Sequence, residues 1–189
     1  SYGYSGGIFW VKYGGEDAAN IFIDGCYFES HSTDENFASY GVGEKNIIVR
    51  NTKFTTDSSK FTRSTIMFAF YDGKNNIIFD NCQIRQSGES ESCLHLSCLF
   101  RLGNSNYKCT AVLNNCYVNC DLYSSVFADA IDRSSGKKID NDFLPKIVLN
   151  NCTIASKNCP LNGNFVSYHQ NLTGEYSTPC VNMEINGCR

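Results

Sequence analysis

His95, Asp129 and His169 are the residues of this chain best suited to moving protons: two imidazoles and a carboxylate, each on an apolar segment of a different repeat. A carboxylate flanked by histidines supports general acid–base chemistry if all three reach one surface. Ser97 and Tyr168 lie on the same segments and Tyr71, Asp72 and Arg101 at segment edges, which makes these five the candidate substrate contacts. The arrangement requires Leu94, Leu96, Val126, Ala128, Val166 and Tyr168 to face inward, so that His95, Ser97, Asp129 and His169 face outward on neighbouring repeats. The run Cys93-Leu94-His95-Leu96-Ser97-Cys98 has the residue types of a metal site. Structural zinc needs four convergent ligands, however, and no matching second half follows, so neither a metal nor a cofactor is expected.

The segments that must position these groups are set by a nine-residue unit, Asn20 to Phe28 (NIFIDGCYF). It returns at Asn46, Asn76, Thr110, Lys146 and Asn182, with starts 26, 30, 34, 36 and 36 residues apart. Apolar side chains hold the second and fourth positions, as in Ile21 and Ile23, Ile47 and Val49, or Ile77 and Phe79. That is the period of a strand with one face inward. The sixth position is always Gly25, Asn51, Asn81, Asn115, Asn151 or Gly187, the two residue types that best tolerate a left-handed backbone, so each copy bends there. A small inward residue and then an apolar one follow, which predicts a second short strand after the bend. A third strand falls between copies: 8–13, 37–42, 65–71, 94–101, 125–131 and 165–169. Periods of this length mean stacked units, each too small to bury its own apolar face.

One outward position breaks the pattern. The third residue of each unit reads Phe22, Ile48, Ile78, Val112 and Val148 before Glu184. Five apolar residues stacked on an outer face predict a cover, either the long loops folding back or a neighbouring subunit or domain.

Of the eleven cysteines, Cys26, Cys82, Cys116, Cys152 and Cys188 occupy one repeat position. Side chains on stacked parallel strands run alongside one another instead of facing, so these are expected to be free thiols packed as small hydrophobes. The other six lie off that column, and Cys159 with Cys180 is the first pair to test as a loop disulfide. The net charge of −3 and the scattered Lys and Arg residues give no nucleic-acid footprint. No apolar run approaches the ~18 residues needed to span a bilayer. Residues 1–189 read as one domain, expected to be a segment of a longer chain.

Three strands per repeat, a bend built on Asn or Gly and an inward ladder of small residues resemble the right-handed parallel β-helix superfamily, which includes pectate-lyase-like enzymes and bacteriophage tailspikes. The resemblance implies an all-β solenoid of about six coils with three short parallel sheets, the bend being an asparagine-ladder turn. It also implies that substrate lies on the outer face of the first sheet, formed by the strands between copies. The paired aspartates and Gly-His-Gly of polygalacturonase-like hydrolases are absent, as are the calcium-binding aspartates and catalytic arginine of pectate lyases. The leading expectation is therefore recognition of a cell-surface polysaccharide by a tailspike-like or bacterial surface module, extracellular or virion-associated. Aromatic residues near that sheet, Trp10, Tyr40 and Tyr168 among them, would stack on sugar rings. The alternatives are a polysaccharide lyase or glycoside hydrolase working through Asp129, and a structural segment whose apolar stripe packs in a homotrimer or against a neighbouring domain.

Overall fold

The computed structural model describes residues 9–13, 19–30, 37–41, 44–57, 62–70, 74–87, 90–99, 108–120, 125–132, 146–156, 166–169 and 182–189; side chains are described at 19–29, 44–55, 76–85, 110–119, 146–155 and 183–189. Among these residues every regular element is a strand, and every strand pair is parallel. Numbered in chain order, the strands between copies form the first sheet: β1 (Phe9–Tyr13), β4 (Phe37–Gly41), β7 (Thr62–Phe70), β10 (Ser90–Leu99), β13 (Ser125–Asp132) and β16 (Val166–His169). The strands before the bend form the second: β2 (Ala19–Asp24), β5 (Lys45–Arg50), β8 (Lys74–Asp80), β11 (Lys108–Asn114), β14 (Lys146–Asn150) and β17 (Asn182–Asn186). Those after it form the third: β3 (Tyr27–Ser30), β6 (Lys53–Asp57), β9 (Gln83–Ser87), β12 (Tyr117–Cys120) and β15 (Thr153–Ser156). Each sheet thus takes one strand from successive repeats in chain order, a solenoid-like stacking compatible with a parallel β-helix.

The bends have the expected backbone. Asn51, Asn81, Asn115 and Asn151 hold φ at 49–54°, and Gly25 and Gly187 at 65° and 62°. In this left-handed region the chain turns from the second sheet to the third within two residues, and Asn is strained less there than other side-chain-bearing residues. Pairing continues through the turn. Asn81 N–H donates to Asn114 O in the next coil at 2.9 Å, and Gln83 N–H to Thr52 O in the previous one at 3.0 Å.

The core follows from the two-residue period on either side of the bend. Ile47, Val49, Phe54, Ile77, Phe79, Ile84, Ala111, Leu113, Val118 and Leu149 are all fully buried. Burying a large apolar side chain of this kind contributes about 1.5–3 kcal/mol. Phe28 stacks on Phe54 with ring centroids 5.1 Å apart, and Phe79 meets Phe54 edge-on at 6.3 Å. Lys45 is an exception that period two could have revealed: it lies two residues before Ile47, falls on the same inward row and is fully buried. Burial lowers its pKa, because an ammonium removed from water is penalised.

Candidate functional site

The first sheet is described by backbone path and register. Its six strands align Trp10, Ala38, Met67, His95, Ala128 and Ser167 on one row, and Lys12, Tyr40, Ala69, Ser97, Ala130 and His169 on the row two residues further along. Between them runs a row of Val11, Ser39, Phe68, Leu96, Asp129 and Tyr168. Rows one residue apart belong to opposite faces of a sheet. His95, Ser97 and His169 therefore share a face, whereas Asp129 and Tyr168 belong with Leu96 and Phe68.

This corrects one alignment expected from the sequence. Phe127, not Val126 or Ala128, stands level with Leu94 and Val166. The segment Ser125–Asp132 offers Val126 and Phe127 as adjacent apolar candidates, and alternation alone chooses between them only if the strand's first paired residue is known. The correction separates Asp129 from both histidines. Tyr71, Asp72 and Arg101 lie outside the described residues, as do Cys159 and Cys180.

Where side chains are described, three asparagine ladders run across the coils. At the bend, Asn51 Nδ2 donates to Asp24 Oδ1 (2.9 Å), Asn81 Nδ2 to Asn51 Oδ1 (2.8 Å) and Asn115 Nδ2 to Asp80 Oδ1 (3.4 Å). The first repeat position forms a second ladder through Asn20, Asn46 and Asn76, each step 3.1 Å. The fifth forms a third through Asn114, Asn150 and Asn186, each step 2.9 Å. The resemblance pointed only to the ladder at the bend, although Asn recurs at the other two positions as well. These two rows flank the apolar outer stripe. Ile48, Ile78, Val112 and Val148 are half-buried beside them, and only Phe22, 61% exposed with Arg50 5.8 Å from its ring centroid, stands well clear.

The cysteine column is present as free thiols at Cys26, Cys82, Cys116, Cys152 and Cys188, the middle three buried. Each thiol donates to the carbonyl two residues before it, Cys116 Sγ to Asn114 O at 3.2 Å for instance. Thr52 fills the missing rung: its hydroxyl donates to Arg50 O at 2.7 Å and accepts from Cys26 N–H at 3.3 Å, as Cys188 Sγ does from Cys152 N–H. Cys116 is held protonated, its pKa pushed far up by the thiols of Cys152 and Cys82 and by burial. The neighbouring Cys116 thiol in turn draws the pKa values of Cys82 and Cys152 down, against the opposing effect of their burial. Buried and hydrogen-bonded, the column has a packing role. Among the described residues no group of three or more His, Cys, Asp or Glu could hold a metal, and no helix is long and apolar enough to cross a membrane.

No family model matches the chain, and comparisons with curated proteins and with solved structures return no match.

Proposed function

We propose that the chain is a glycan-recognition module on a right-handed parallel β-helix of the pectate-lyase-like kind, with about six coils. The right hand follows from the strong preference of parallel crossovers. The observation that carries the functional reading is the composition of two rows on one face of the first sheet. The rows hold Trp10, Lys12, Tyr40, Met67, His95, Ser97, Ser167 and His169 among Ala38, Ala69, Ala128 and Ala130. As a composition, aromatic and hydrogen-bonding residue types interspersed with small ones suit a sugar chain. A tailspike-like or bacterial surface protein, extracellular or virion-associated, is the setting this implies.

Catalysis by Asp129 with His95 and His169 loses support from the register, since the acid and the imidazoles occupy rows of opposite faces. A glycan array tests recognition, and Trp10→Ala should abolish binding to whichever glycan is captured on the first sheet. Oligosaccharide release from capsular or pectic substrates tests the enzyme alternative: any release should survive Asp129→Ala, and its loss in that variant, with binding retained, would restore the catalytic reading.

A further inference from the structure

The asparagines at the bends share one backbone shape, but their side chains are not equally engaged. Asn51, Asn81 and Asn115 each donate Nδ2 to an oxygen of the preceding coil, at 2.9, 2.8 and 3.4 Å. Asn151 does not. Its backbone N–H donates to Asn186 O at 2.8 Å, as at the other bends, yet its carboxamide makes no hydrogen bond among the described residues. The residue is exposed. At the next rung stands Gly187, where a Cβ would lie 2.6 Å from Asn151 Oδ1, so the absence of a side chain there leaves the carboxamide its space. The ladder at the bend thus stops short of Asn151, and the following coil offers no side chain to resume it.

The sequence singles out the same bend. Residues 51–53, 81–83 and 115–117 read Asn-Thr-Lys, Asn-Cys-Gln and Asn-Cys-Tyr, whereas Asn151-Cys152-Thr153 is the acceptor triplet for N-linked glycosylation: an asparagine, a residue other than proline, and a hydroxyl residue. At Asn51, Asn81 or Asn115 a glycan on Nδ2 would crowd a nitrogen already tied to the neighbouring coil. At Asn151 it disturbs no ladder bond.

We propose that Asn151 is an acceptor for N-linked glycosylation, carrying its glycan outward from the turn between the second and third sheets. The donor is an oligosaccharide on a polyprenyl diphosphate. Asn151 Nδ2 bonds to the anomeric carbon as the bond from that carbon to the diphosphate breaks; the lipid diphosphate leaves with the electron pair, and one amide proton passes to a base of the transferring enzyme. Thr153 supplies the hydroxyl that such an enzyme reads. In the folded chain Thr153 Oγ1 accepts from Arg189 Nε at 3.1 Å, so transfer precedes the docking of Arg189. The proposal goes beyond recognition on the first sheet and does not rest on it, because this turn joins the other two sheets. It requires passage through a compartment stocked with lipid-linked oligosaccharide, the extracellular and not the virion-associated arm of the setting given above.

The test is expression of the full chain in the secretory pathway of a eukaryotic cell, with peptide N-glycosidase treatment and mass spectrometry of the protein from cells and medium. A second triplet, Asn171-Leu172-Thr173, lies outside the described residues, so Asn171→Gln serves as the background. In it one glycan should be released, its site marked by conversion of Asn151 to aspartate. Thr153→Val should abolish that release and Thr153→Ser should keep it. Both leave Asn151 in its bend, which Asn151→Gln would strain at φ 53°. An unmodified Asn151 in the Asn171→Gln chain would overturn the site, as would a glycan that persists there after Thr153→Val. Gln83→Thr places the same triplet at Asn81, whose Nδ2 the ladder holds; the yield of secreted chain glycosylated at that bend should be severalfold lower than at Asn151, and an equal yield would overturn the ladder argument. Recognition on the first sheet is read separately by the glycan array and survives either result.

Discussion

Asn51, Asn81, Asn115 and Asn151 hold their backbones in a region that costs most L-residues about 1–2 kcal/mol. The side chains of Asn51 and Asn81 also reach back to the preceding coil. The two effects can be separated at Asn81. Asn81→Gly removes the side-chain hydrogen bond and keeps the backbone relaxed, so a loss of about 0.5–1.5 kcal/mol is expected. Asn81→Ala adds the left-handed penalty and should be the worse of the two by about 1 kcal/mol; denaturant midpoints of the pair measure the difference. Lys45 gives a pH signature. Its folded pKa lies below 10.5, so between that folded value and 10.5 the unfolded chain binds the proton more tightly. Stability therefore rises with pH through this window, and the contribution is lost as pH falls through the folded pKa. In urea midpoints followed from pH 7 to 10.5, Lys45→Met should remove that upward component relative to wild type. The comparison also cancels the titration of the thiols common to both.

At the scale of the element, each nine-residue unit is readable because its inward positions, its bend and its small rung residue are consecutive and repeat without insertion. The third residue after each bend points inward because period two resumes there, and Phe54, Ile84 and Val118 are all fully buried as a result. The strands between copies are less legible. Their residues carry no bend to fix the phase, and at Val126-Phe127 two apolar neighbours compete for one inward place. Alternation counted from Val126 puts Asp129 on the face of the histidines, and the register does not. The two outer asparagine ladders are equally visible in principle, but as outward polar residues they look like any solvated sheet until the coils are stacked. Thr52 provides the prediction at this scale. Because its hydroxyl makes both the donor and acceptor contacts of the column, Cys116→Thr should cost no more than about 1 kcal/mol, whereas Cys116→Val, with no donor for Asn114 O, should cost more. Thermal unfolding of the two variants checks the order.

For the whole molecule, stacked units mean that stability is shared between neighbours and falls where a unit has a neighbour on one side only. Leu149 is fully buried between β11 and β17, while Ile185, its counterpart on β17, is 53% exposed. Leu149→Ala should cost about 2–5 kcal/mol, and the amides of β5, β8 and β11, paired on both sides, should exchange slowly. The ladders add a property that burial does not. Among the described residues, all seven of their side-chain hydrogen bonds run one way, from an amide in the later coil to an oxygen in the earlier one. Asp24 and Asp80, which as carboxylates accept and cannot donate, stand at the receiving ends of such chains. The order of coils therefore has a grammar: a unit with Asp before its bend can open a ladder but cannot pass one on. Transposing two coils would change which groups donate and which accept even if every inward residue were kept, so the stack has a direction written on its outside as well as in its chain.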